Sequence, residues 1–290
     1  MGIVVAVMAQ GSMGAGVGKR LHERGADVRT LLSGRSTASA ERAKTAGMKP
    51  AADEHALLDG ADFFLSILPP GEAESLAARL APTLAALAKK PVYVDCNAIS
   101  PQTAHRVAAI VEPTGAHFVD GGIIGGPPRP GYSPGIYASG PTVSETAALR
   151  DWGLDWRIID GPVGAASGLK MSYAGITKGI TALGSAMMLG AARFGCAEAL
   201  VAELSASQPN IFKHLSAGIP RMYDKAYRWV AEMEEISTFL DANPASHDIY
   251  QGVARLYDFL AAAEAENAPG WDNAIKTLDR VLGRTKSTAR

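Results

Sequence analysis

The chain has 290 residues, 47% of them hydrophobic and 20% charged, with 28 Lys and Arg against 29 Asp and Glu for a formal charge of −1. That length suits two domains of ~150 residues with enough apolar side chains for a real core, and balanced charge argues against a general nucleic-acid or anionic-membrane binder, both of which need a basic surface. The only cysteines, Cys96 and Cys196, exclude a disulfide scaffold and a cysteine-rich metal site and fit a reducing cytoplasm.

The N-terminal run MGIVVAVMA has no basic n-region and is followed by glycines, so Ile3 to Met8 reads as a strand and not as a signal peptide. Gly11 to Arg24 reads as a helix, with Met13, Val17 and Leu21 at i, i+4 and i+8, and Gly25 ends it. Further strands are expected at Asp27 to Leu32, at Phe63 to Leu68 before Pro69-Pro70, at Pro91 to Asp95, at His117 to Val119 and at Pro134 to Ser139. Alanine-rich helices such as Glu72 to Ala88 lie between them. Strands alternating with crossover helices predict a mostly parallel sheet covered on both faces. Trp156 to Asp160 is the last strand-like segment, where Trp152 and Trp156 are expected to pack. After Gly161-Pro162 the pattern is helical: Gly164 to Phe194 as one long helix, then 197–206, 219–241, 247–265 and 270–283, with Arg284 to Arg290 expected to fray. The nearly apolar run Ile180 to Ala192 falls short of the ~17–25 residues of a membrane helix. The fold class is therefore α/β: a doubly wound, mostly parallel sheet over residues 1–160, then an all-helical domain over 161–290.

Between the first strand and the first helix stands Ala9-Gln10-Gly11-Ser12-Met13-Gly14, a G-x-G-x-x-G pattern with alanine first. Gly11 lets the backbone approach a pyrophosphate, Gly14 lets the helix pack closely on the strand, and the N–H groups opening the helix bind phosphate. The end of the second strand chooses the cofactor, because an NAD site usually has an acid there for the ribose 2′-hydroxyl. Here Ser33-Gly34-Arg35-Ser36 offers no acid; Arg35 pairs with a 2′-phosphate and Ser33 and Ser36 donate to it, which favours NADP(H) over NAD(H). The competing reading of Arg35 is an exposed loop arginine. Leu68-Pro69 and Asn97-Ala98 follow strand ends on the rim where an open sheet binds its ligand. The six histidines form no H-x-x-H or H-E-x-x-H pair, so no metal is expected, and His214 reads as a surface or half-buried residue. No G-x-S-x-G offers a hydrolase nucleophile.

In this order the motifs resemble the β-hydroxyacid dehydrogenase family, relatives of 6-phosphogluconate dehydrogenase. Ala9 to Gly14 is similar to its nucleotide loop G-x-G-x-M-G, and Asp95 to Pro101 to the D-x-S-T-x-x-P segment by the nicotinamide. Asp120-Gly121-Gly122-Ile123-Ile124-Gly125-Gly126 is similar to the substrate loop D-A-P-V-S-G-G, and Gly161 to Lys170 to the segment leading to the catalytic lysine. The resemblance implies a Rossmann domain followed by a helical one, a homodimer, and NAD(P)-dependent hydride transfer between a small hydroxy acid and its carbonyl. Lys170 is then the acid/base, and Ile124, Gly125 and Gly126 hold substrate.

The chain departs from that pattern in three places. Ala174 stands where the family has asparagine, so Tyr173, at i+3 from Lys170, or Lys178, two turns on, is expected to take over substrate or cofactor contacts. Ile124 replaces a serine donor. Glu232-Met233-Glu234-Glu235 stands where the family carries a Lys-Asp pair, either as negative charge that repels an anionic substrate or as a solvated helix face. Trp229 is expected to face a dimer partner or the cleft. A phosphosugar acid is disfavoured, since no basic cluster awaits its phosphate. Two alternatives stay open: reduction of an imine by an imine reductase-like enzyme, a group that generally lacks this lysine, and a non-catalytic NADP-binding sensor.

Overall fold

The computed structural model describes residues 2–265 and 270–283. The expected fraying of Arg284 to Arg290 lies outside the described residues. The chain divides into two compact units, Met1–Ser172 and Tyr173–Arg290.

In the first unit the β-branched runs assemble into one sheet of β1 (Val4–Met8), β2 (Asp27–Leu31), β3 (Lys49–Ala51), β4 (Phe63–Ser66), β5 (Val92–Asp95), β6 (Phe118–Ile124), β7 (Gly135–Ser139) and β8 (Asp155–Ile158). Their spatial order is 3-2-1-4-5-6-7-8, parallel throughout except for the antiparallel β6–β7 pair. Crossovers run through α1 (Ser12–Glu23), α2 (Thr37–Thr45), α3 (Glu54–Leu58), α4 (Ala73–Ala86) and α5 (Pro101–Val111). Successive strand residues face opposite sides, so β1 feeds two cores. Val5 and Val7 pack with Val17, Leu21 and Trp156, whereas Ala6 and Met8 pack with Phe64, Leu80, Tyr93 and Phe118. Burial on both faces is why these strands read as continuous apolar runs instead of alternating ones. The expected packing of Trp156 holds: its ring is buried and its Nε1 donates to Thr146 Oγ1 at 2.9 Å.

The strand register aligns Met8, Ser66, Asp95, Asp120 and Ser139 side by side across β1, β4, β5, β6 and β7. The last four are polar and fully buried at the end of the sheet where the parallel strands terminate.

Three local expectations change. The strand expected at 117–119 runs on to Ile124, so Asp120 to Ile124 belongs to β6 and not to a loop. Gly121 and Gly122 allow this, because an added Cβ would lie 2.8 Å from the Asp95 carbonyl oxygen at one and 2.9 Å from that of Ala166 at the other. The short β3 and α3 had too few residues to show a period. In the second unit, the helix expected over 219–241 is two helices.

The second unit carries most of α6 (Ala165–Arg193), then α7 (Ala197–Ser207), α8 (Pro209–Met222), α9 (Ala226–Phe239), α10 (Pro244–Ala265) and α11 (Asp272–Val281). Pro209 opens α8, where a missing N–H costs nothing. A 3-10 turn over Tyr223–Lys225 then separates α8 from α9, one turn past Pro220, whose ring cannot support a continuing ladder. On α6, Ile176, Ile180, Leu183 and Met187 stay exposed along one face. Ile176, Ile180 and Leu183 border a groove of about 630 Å³ whose far wall is Ile249, Tyr250, Val253 and Leu256 of α10. Among the described residues no helix is long and apolar enough to cross a membrane.

Candidate functional site

The turn between β1 and α1 is held from behind. Gln10 is fully buried; its Nε2 donates to Thr30 Oγ1 and, at 2.8 Å, to the Leu31 carbonyl, while its own carbonyl accepts from Arg42 Nε at 2.9 Å. The Gln10 side chain therefore ties the turn to β2, and its backbone alone is left for the cofactor contact expected of it. A Cβ at Gly14 would stand 1.9 Å from the Ala9 carbonyl oxygen, so only glycine allows this approach of helix to strand. Gly11 is different: a Cβ there would meet no protein atom within 4 Å. Gly11 caps α1 with extended backbone, no side chain bonds the helix end, and the first turn holds no acid. Uncapped N–H groups facing open space, at the positive end of a helix, fit a pyrophosphate. Ser12 is exposed and Met13 half-buried beside it.

At the end of β2, Ser33, Gly34, Arg35 and Ser36 are exposed. The Ser36 hydroxyl caps α2, accepting from the Ser39 N–H at 3.3 Å. Arg35 lines a small cavity of about 130 Å³ with Leu68, Glu72, Ser75, Leu76 and Arg79, and Arg79 also pairs with Glu54 at 2.9 Å. Glu72, Ser75 and Arg79 escaped the sequence reading because α4 has no motif; only the fold carries them to Arg35.

The ends of β4 and β5 are stapled by Asn97. Its Oδ1 accepts from the Leu68 N–H, and its Nδ2 donates to Ser66 Oγ at 2.8 Å and to Asp95 Oδ2 at 3.0 Å. Asp95 Oδ1 accepts from the Asn97 N–H at 2.9 Å. The Asn97 side chain shapes this rim from within, beside Leu68, Pro69 and Ala98, which remain partly exposed or exposed. Next to it, burial and the neighbouring carboxylates of Asp95 and Asp120 push the Cys96 thiol up, so it stays protonated at neutral pH.

The start of α6 is fastened by Asp120, a residue the resemblance had marked only as the first of a loop. Its Oδ2 accepts from Ser139 Oγ at 3.1 Å and from the N–H groups of Gly164 and Ser167, both at 3.0 Å, and its Oδ1 accepts from Ser167 Oγ. Ser139 Oγ in turn accepts from the Ala166 N–H at 3.0 Å. A carboxylate from β6 thus satisfies amides of the first turn that no local side chain reaches. Lys170 follows on this helix, half-buried, and a Cβ on Gly122 would lie 3.0 Å from its Cβ. Beyond Gly122, Ile124 ends β6, Gly125 adopts φ +129°, and the Gly126 N–H donates to the Tyr132 hydroxyl at 3.2 Å.

In the second unit Tyr173 is 50% exposed. Lys178 is not a spare cation: its Nζ pairs with Glu232 Oε2 and lies 5.0 Å from the centre of the Trp229 ring. Glu232 is buried, which corrects the solvated-face reading for that residue, and its charge is balanced, which removes the repulsion argument there; Glu234 is exposed. Trp229 packs edge-on against Tyr257 at 5.2 Å, inside this unit. The Tyr257 hydroxyl donates to the Lys178 carbonyl at 2.6 Å, and burial, with the nearby Glu232 charge, pushes its pKa up. His214, exposed, lies with its Nε2 3.3 Å from the Thr177 carbonyl oxygen, the surface role expected of it.

Residues 4–147 match the NAD binding domain of 6-phosphogluconate dehydrogenase, and residues 191–260 match a domain of unknown function, DUF1932. An uncharacterised 28.5 kDa protein of Methanothermus fervidus is 30% identical over 157 residues, 54% of this chain and 59% of that protein, so the match spans under two thirds of the relative. A conserved protein of unknown function, reported as structurally similar to 3-hydroxyacid dehydrogenases, is 28% identical over 92% of this chain and 100% of its own, with a TM-score of 0.68. The 3-hydroxyisobutyrate dehydrogenase of Mycobacterium tuberculosis shares the fold at 19% identity and a TM-score of 0.71, covering 96% of this chain and 99% of its own.

Asp120→Ala strands the buried amides of Gly164 and Ser167, and an unpaired buried donor costs about 1–3 kcal/mol. Urea unfolding of this variant is expected to show a loss of at least ~2 kcal/mol; an unchanged midpoint would disprove the clamp.

Proposed function

We propose that this chain, whose residues 4–147 match the NAD binding domain of 6-phosphogluconate dehydrogenase, moves hydride between NADP(H) and a small hydroxy acid or carbonyl compound, with Lys170 as acid/base. The observation that carries this reading is the seating of α6: the Asp120 clamp and the Gly122–Lys170 approach hold the lysine at the same sheet end that bears the Gly11–Gly14 turn. We keep 1–160 as the nucleotide-binding domain and 161–290 as the helical substrate and dimerisation domain.

Ala9 to Gly14 hold the pyrophosphate by backbone N–H groups. Arg35, with Ser33 and Ser36, holds the 2′-phosphate, which is the basis for preferring NADP(H). Leu68, Pro69 and the segment Asn97-Ala98 line the rim toward the nicotinamide. When bound, the cofactor supplies or accepts a hydride at its nicotinamide ring. Lys170 gives a proton to the carbonyl oxygen during reduction and takes the hydroxyl proton during oxidation. Gly125 and Gly126, after Ile124, receive the rest of the substrate, and Tyr173 supports Lys170 from one helical turn away. Two free cysteines support a cytoplasmic setting.

The apolar stripe of Ile176, Ile180, Leu183 and Met187 supports a homodimer, because a patch of this kind is rarely left in water. Leu183→Glu is expected to convert a dimer to a ~30 kDa species in gel filtration, the chain mass; a wild-type chain already monomeric at micromolar concentration would refute it.

Lys170→Ala tests the chemistry. Loss of a general acid/base costs ~10²–10⁴ in rate, so carbonyl reduction across a panel of short oxo acids and aldehydes is expected to fall by that factor, with NADPH affinity unchanged. Retained imine reduction in the variant would favour the reductase of C=N bonds, and tight NADPH binding without turnover in the wild type would favour the sensor. Arg35→Ala is expected to weaken NADPH binding roughly tenfold or more, as loss of a charged hydrogen bond does, while leaving NADH binding unaltered. Equal losses for both would assign Arg35 to the adenine and not to the phosphate.

A further inference from the structure

The apolar stripe along α6 and the groove beside it are two halves of one fit. We propose that a second copy of this chain docks by laying its own α6, antiparallel, into this groove, so that the partner's Met187 faces Ile176, the partner's Leu183 faces Ile180 and the partner's Gly190 faces Tyr173. This pairing rests on the homodimer reading above and gives that dimer a surface, a direction and a register.

From Tyr173 onward, the large apolar side chains that α6 and the residue after it leave exposed are Tyr173, Ile176, Ile180, Leu183, Met187 and Phe194. With Gly190 in the gap before Phe194, their spacing alternates between three and four residues. That is the repeat that keeps one face of a helix turned toward a partner helix. The opposite face is already spent: Ala174, Ala182, Ser185, Met188 and Leu189 are buried. No charged residue stands between Lys178 and Arg193, so no charge holds the stripe in water. Leu183 is 65% and Phe194 85% exposed. With Ile249 of α10 the stripe presents about 800 Å² of apolar surface, what one side of a stable interface buries.

The groove has the shape a helix needs. Gly175, Gly179 and Ala182 of α6 and Gly252 of α10 line it, and small residues let two helices come close. Tyr250 closes its floor: a Cβ would lie 3.0 Å from the tyrosine hydroxyl at Gly175 and 3.1 Å from it at Gly179. The far wall repeats the spacing of the stripe, with Ile249, Val253 and Leu256 four and three residues apart. Ridge and groove thus lie side by side, and a twofold dimer needs both on each copy, whereas an unrelated protein would need only one of them. The direction follows from Gly190. Helices paired in parallel about a twofold axis set each residue against its own copy, so two Tyr173 rings would crowd one layer and two glycines would leave a hole in another. Antiparallel pairing sets the Tyr173 ring on the partner's Gly190, a position where a Cβ meets only open space in a single chain, and it opposes the two helix dipoles. The second copy then braces Tyr173 one helical turn from Lys170.

Sedimentation equilibrium of the full chain reads the dimer dissociation constant. Ile176→Lys and Met187→Glu each change an exposed side chain, and each is expected to weaken the dimer at least roughly tenfold, as burial of an unpaired charge does. An equimolar mixture of the two is expected to recover the dimer, because lysine and glutamate then face one another across the antiparallel pair. Gly190→Tyr is expected to weaken the dimer by crowding the partner's Tyr173, and Tyr173→Ala in the same chain to restore it. A charge variant as tightly dimeric as the wild type overturns the pairing, and so does a mixture no tighter than its parts or a Gly190→Tyr dimer of unchanged affinity. Should Gly190→Tyr fail to fold, the charge variants decide alone. A wild type that is monomeric at micromolar concentration leaves the groove to another protein and overturns the homodimer reading itself, whereas a dimer indifferent to these substitutions overturns this pairing only.

Discussion

A buried carboxylate without a matching cation is costly unless hydrogen bonds surround it. Asp120 is fully buried and accepts from two hydroxyls and two backbone amides, contributed by β7 and by the start of α6. Charge and helix end answer one another here: the amides need an acceptor, and the carboxylate needs donors. Removal of either leaves the other unpaired. The position of Lys170 follows from this contact, since the lysine lies on the helix that the contact seats.

The same logic runs along the sheet end. Asp95 spends its oxygens on Asn97, and Asn97 on Ser66 and the Leu68 amide. Gln10 spends its amide on Thr30 and Leu31. Each polar side chain is pointed at the backbone of the next segment, so the loops on the rim inherit their shapes from groups that water never reaches. That arrangement leaves Gly11 as an open position in an otherwise crowded turn, whereas Gly14 is packed to the limit.

Much of this was legible in the residues. The strand–turn–helix reading of Val4 to Glu23 holds, because apolar period and glycine spacing are both local. So does α6, whose alanine and glycine content did not hide its length. Helix α8 was missed because proline at 209 and 220 masked its period, and β6 was cut short because Gly121 and Gly122 look like a turn until β5 and α6 close on them. Site residues divided along the same line. The motif Ala9 to Gly14 sits on the turn where spacing put it, but Glu72, Arg79 and the true duty of Asp120 depend on segments far apart in sequence. The pairing of Lys178 with Glu232, 54 residues on, is of this kind: two charges each read alone as available become one neutral unit.

The row Ser66, Asp95, Asp120 and Ser139 gives the sheet end a hidden frame distinct from the surface it supports. Because these side chains make their hydrogen bonds beneath the surface, a change at Ile124 removes none of the bonds from Asp120 that seat the helix carrying Lys170.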